Sequence, residues 1–131
     1  MSKRAEMSRR IRRQYVEILD GDGSDYYYPW HWMGGQKTSN NAWAALFFTK
    51  QFGRYRGVDF SRLQNIVVRQ GTAECVYRWA TEVLGAHVRK CQTRTMEIGT
   101  AQEMRRFAMN VRGAHSASME ALAVIKEVLA M

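Results

Sequence analysis

The chain has 131 residues, 46% hydrophobic and 24% charged, which is the balance of a folded protein rather than a disordered one. Twenty Lys and Arg against twelve Asp and Glu give a formal charge of +8, which excludes an acidic DNA mimic and favours polyanionic partners. The longest apolar run, Ala42 to Phe48, falls far short of the ~20 residues of a membrane span, and the basic first residues carry no apolar signal core. The expectation is therefore a cytoplasmic protein with no membrane partner, in which Cys75 and Cys91 are reduced thiols outside any metal or redox spacing.

Residues 3–19 are predicted to form an amphipathic helix. Met7, Ile11, Tyr15 and Ile18 fall on one stripe at helical spacing. Arg9, Arg10, Arg12 and Arg13 project mainly from other sides. An arginine can make paired hydrogen bonds to phosphate oxygens, so this face is a candidate for phosphate contact as well as a candidate for plain solvation. The stripe is too narrow, and too poor in bulky anchors, for a membrane-surface helix.

Residues 20–40 are predicted as an acidic and aromatic loop. Asp20, Asp22 and Asp25 suggest a calcium run but fail the EF-hand pattern, with Asp25 at the sixth position and His31 at the twelfth. Tyr26, Tyr27, Tyr28, Trp30 and Trp32 surround Pro29, the single proline, which excludes a helix interior. Three roles stay open for these aromatics. They can stack the bases of a single strand, anchor a protein interface, or cover the end of the following helices.

Residues 41–131 are predicted to carry helical hairpins, because the sequence repeats. Gly71-Thr72-Ala73-Glu74 recurs as Gly99-Thr100-Ala101-Gln102, a shift of 28. In the same frame Arg78-Trp79-Ala80 recurs as Arg106-Phe107-Ala108, and Gly85-Ala86-His87 as Gly113-Ala114-His115. One step back, Gly57-Val58-Asp59 takes the same place; Phe48, Val76 and Met104 align, as do Leu63, Cys91 and Met119. Each copy reads as two short helices. The first opens on Thr72 or Thr100, and the second spans roughly 60–70, 88–97 or 116–130. Gly85 and Gly113 mark the helix ends, and the last segment, with Leu122, Ile125, Val128 and Leu129, is expected to act as a cap. Trp79 and Phe107 are expected in the core.

The pattern Gly-Thr-Ala-Glu-x-x-Tyr-x-Trp-Ala-x-x-Val-x-Gly-Ala-His resembles short helical-hairpin repeats of phage and bacterial proteins, over residues 43–126. Those repeats usually carry Asp where this chain has Thr72, Thr100, His87 and His115. The resemblance implies a scaffold and a phage or bacterial origin, hence the cytoplasm of a bacterium or of an infected host. It implies no activity.

Lys50, Arg78 and Arg106 share one repeat position, and Arg56 and Arg112 share another. Stacked copies would set such residues in a cationic row suited to a phosphate backbone or an acidic partner face. Arg54 adds to the same basic stretch. His87 and His115 are also equivalent, but no third metal ligand is evident, and Asp59 at that position points to a helix start. No nucleophile, zinc or paired-carboxylate motif is present.

The sequence therefore predicts one all-α domain over residues 1–131: a basic N-terminal helix, then stacked hairpins in a short solenoid-like array. The expected function is non-enzymatic binding of nucleic acid or a nucleoprotein complex, with no cofactor and no metal. The alternatives are a protein-binding adaptor, such as a phage inhibitor of a host defence complex of the anti-CRISPR kind, or a small subunit of a larger helical assembly. The oligomeric state stays open.

Overall fold

The computed structural model describes residues 6–21 and 40–131. The described residues form helices α1 (Arg9–Leu19), α2 (Asn40–Phe52), α3 (Phe60–Gln70), α4 (Ala73–Glu82), α5 (Val88–Ile98), α6 (Ala101–Asn110) and α7 (Ser116–Leu129). Among them there is no strand, only an isolated backbone bridge between Glu6 and Arg56. No helix among them is long and apolar enough to cross a membrane. The chain divides into two compact units, Met1–Gly71 and Thr72–Met131. The division falls between the first and second sequence copies.

In the first unit, α1 begins later than its periodicity suggests. The Ser8 side chain accepts the Ile11 N–H and caps the helix there, so the helical stretch starts at Arg9. Tyr15 and Ile18 are buried, as the stripe requires, while Met7 and Ile11 are half-buried. Gly21, with φ +92°, follows the helix as its left-handed terminator, and its N–H returns to the Ile18 carbonyl. The core of the unit is α2, where every residue from Asn41 to Leu46 is buried, along with Phe48. Over that stretch the helix has no solvent face to mark with polar residues, and α1 and α3 both pack against it. Tyr15 stacks on Phe48 with ring centroids 5.5 Å apart. The Asn41 side-chain amide donates to the Ile18 carbonyl at 2.9 Å.

In the second unit two hairpins, α4–α5 and α6–α7, pack on each other. Trp79 and Phe107 are fully buried at their shared position, as are Val76 and Met104, and Cys91 and Met119. Burying each of these large side chains contributes roughly 1.5–3 kcal/mol. Thr72 and Thr100 cap α4 and α6, and Thr100 with Glu103 forms a reciprocal capping box. The Gly99 carbonyl accepts a hydrogen bond from Lys126 Nζ at 2.8 Å, which ties the end of α5 to α7.

The repeat is written into the backbone of both units. After each first helix the chain makes a four-residue turn, closed by hydrogen bonds from Val58 to Tyr55, Ala86 to Val83 and Ala114 to Val111. Gly57, Gly85 and Gly113 stand third in these turns with φ of +90°, +84° and +88°. The helix itself ends one step earlier, at extended Val83 or Val111, so the glycine serves the turn rather than the helix terminus. The second helix then starts on Asp59, His87 or His115, whose side chains accept the N–H of Arg62, Lys90 and Ser118. The histidines thus do the work of the aspartate, through Nδ1 as acceptor.

Candidate functional site

The basic side chains differ in what they meet. In the second unit eight Lys and Arg face six Glu, and three of the arginines are paired with them. Arg78 lies 2.8 Å from Glu82 on its own helix, and that hydrogen bond, set against partial burial, raises the guanidinium pKa. Arg105 pairs with Glu120 and with Glu127 on α7. Arg106 pairs with Glu74 on α4 and sits over the Tyr77 ring, 4.1 Å from its centroid. Arg78 and Arg106 are equivalent in sequence yet choose different partners, because α6 has Asn110 where α4 has Glu82. With no carboxylate one turn on, Arg106 reaches back to the preceding hairpin. Arg112 is exposed at the tip of its turn.

In the described residues of the first unit nine Lys and Arg face only Glu6, Glu17, Asp20 and Asp59. Arg13 takes Glu17 at 3.2 Å and Arg56 takes Glu6 at 3.6 Å, both largely in solvent, where such pairs contribute little. Asp59 is used as a helix cap. Arg9, Arg10 and Arg12 are exposed on α1 and Arg54 is exposed after α2; none of the four has a carboxylate partner among the described residues. Lys50 is exposed near the end of α2.

Two further arginines are absent from the repeat-position reasoning. Arg62 and Arg69, on α3, line a cleft of about 230 Å³ with Leu19, Asn65, Ile66 and Gln70. Among the described residues no acidic side chain lines it. The two guanidinium side chains lie seven positions apart, two turns on one face of a helix, and the amides between them can donate or accept. Leu19 at the end of α1 closes one side, so the cleft lies toward the opposite end of α1 from Arg9. Ten residues at 1.5 Å each put roughly 15 Å between those ends. A single phosphate cannot span that distance, whereas a chain of phosphates can. The signal in the sequence was the absence of any acid between Phe60 and Gln70, which repeat alignment does not weigh.

The thiols are not part of a site. Burial pushes the Cys75 thiol far above its ordinary range and raises Cys91 to about 12. Tyr26, Tyr27, Tyr28, Trp30 and Trp32 lie outside the described residues. Comparison with protein-family models, curated proteins and solved structures finds no match to this chain.

Proposed function

We propose that the protein is a non-enzymatic nucleic-acid-binding protein, acting on free nucleic acid or a nucleoprotein complex through its first unit. Arg9, Arg10 and Arg12 would contact phosphates at one end of α1, and Arg62 and Arg69 would hold further phosphates in the cleft at the other. The observation that carries this reading is that, among the described residues, the cleft holds two arginines and no acid, beside a helix whose Arg9, Arg10 and Arg12 meet no carboxylate. Unpaired arginines keep their full charge for a partner, whereas Arg78, Arg105 and Arg106 of the second unit are matched by Glu. Phosphate contacts of this sort fix position without reading bases, so binding is expected to be largely independent of sequence. The hairpin resemblance supports a phage or bacterial origin.

Fluorescence anisotropy with labelled single-stranded DNA, duplex DNA and RNA, each at low and at high salt, tests the proposal. The expected result is tight binding to at least one polymer at low salt, strong weakening at high salt, and little competition from a nucleoside triphosphate. No anisotropy change with any polymer at low salt would reject it.

A further inference from the structure

The last helix is amphipathic in the wrong direction for a solvated cap. A capping element of a repeat array presents a polar outer face. On α7 the charged residues instead pair within the unit: Glu120 and Glu127 bind Arg105 of α6, and Lys126 binds the Gly99 carbonyl after α5. The side left to solvent is apolar, with Val124 50% exposed, Ile125 53%, Val128 59% and Leu129 79%. With exposed Ala121 these residues fall at helical spacing on one stripe.

The repeat sharpens the contrast. Ile125 stands where α5 has Glu97, which is exposed. Val124 stands where α5 has Met96, which is half-buried on the helix that meets the following hairpin through Gln92 and Gly99. At Ile125 the last helix thus turns an apolar side chain to solvent where α5 turns a carboxylate.

We infer that α7 is a dimerisation surface, paired antiparallel with α7 of a second copy across a two-fold axis near Val124 and Ile125. Small Ala121 then faces Val128 of the partner helix on each side of the axis. The stripe carries no charge, so two copies of a +8 chain meet there without opposing like charges. Neither a lipid surface nor a polyanion suits it, because the one lysine of the helix is bound to Gly99. A two-fold contact uses one surface twice and closes. Side chains of these sizes and exposures present on the order of 500 Å² per copy, or about 1,000 Å² for the pair, at the lower limit of a specific interface. The dimer is accordingly expected to be weak and visible only at raised concentration.

Sedimentation equilibrium of the full chain, from low to high micromolar at high salt, tests this. The wild type should shift reversibly from monomer toward dimer. Ile125→Glu combined with Val128→Glu should stay monomeric across the range with unchanged helical circular dichroism, since both positions are exposed. Ile125→Cys should form a covalent dimer under mild oxidation, whereas Leu84→Cys, exposed in the turn after α4, should not. A wild type that is monomeric throughout, growth past the dimer, or equal self-association by the double Glu variant would each overturn the inference.

Discussion

The Tyr15 hydroxyl accepts the backbone N–H of Asp59 at 2.8 Å, 44 positions along the chain. That one bond joins the buried face of α1 to the turn that launches α3, and so holds together the two helices on which the proposed phosphate contacts sit. Removing the hydroxyl leaves the Tyr15–Phe48 ring stack in place but deprives a part-buried N–H of its acceptor. Tyr15→Phe is therefore expected to cost about 1–2 kcal/mol, read as a lower urea midpoint with little change in slope.

The repeated turns make a prediction about glycine that separates two causes. At Gly85 an added Cβ meets nothing within 4 Å, so Gly85→Ala suffers only from its left-handed backbone, about 1 kcal/mol. At Gly99 the backbone is ordinary, but a Cβ would lie 2.6 Å from the Thr95 carbonyl oxygen. Gly99→Ala must move the end of α5 and the carbonyl that receives Lys126, and should lower the melting temperature more than Gly85→Ala does.

The histidine caps predict a stabilising substitution. His87 and His115 occupy the place that Asp59 fills in the first unit, and aspartate is a stronger N-cap than histidine. An anion there also meets the positive end of the helix dipole. His87→Asp should raise stability by a few tenths to about 1 kcal/mol at neutral pH, and His87→Ala should lower it by about 1 kcal/mol. Paired thermal melts of the two variants give the sign directly.

The thiols predict a pH dependence. Burial holds Cys91 neutral up to about 12, against an ordinary 9.0, and shifts Cys75 in the same direction. Above pH 9 the unfolded chain gives up these protons and the native chain does not. Their contribution is thus fully present below pH 9 and is lost as the pH rises from there toward 12. The difference in stability between wild type and Cys75→Ala with Cys91→Ala should change across that window and stay flat below it. Neither thiol should react with a disulfide reagent at neutral pH until denaturant is added.

Much of the fold was legible because the repeat fixes both period and phase. Trp79 and Phe107 are placed in the core by their shared position, and the helices of the second unit start where Thr and His indicate. The start of α1 was not legible, since periodicity runs past the point where Ser8 supplies a cap. The behaviour of equivalent arginines was not legible either. Arg78 and Arg106 share a repeat position, but a side chain this long answers to the nearest carboxylate, and Glu82 becomes Asn110 one copy on. The cleft around Arg62 and Arg69 depends on Leu19, far away in sequence, and only tertiary packing brings these together. The exposure of Ile125 and Val128 was the reverse of a polar cap, because helical spacing gives a face without saying what covers it.

The most direct measurement of the central claim is the salt dependence of nucleic-acid affinity for wild type, Arg62→Gln with Arg69→Gln, and Arg78→Gln. Each phosphate contact contributes close to one unit to the slope of log affinity against log salt. Loss of both cleft arginines should lower that slope by about two, while Arg78→Gln, whose guanidinium is held by Glu82, should leave it unchanged. A slope equal to wild type in the cleft variant, together with a reduced slope in Arg78→Gln, would contradict the account.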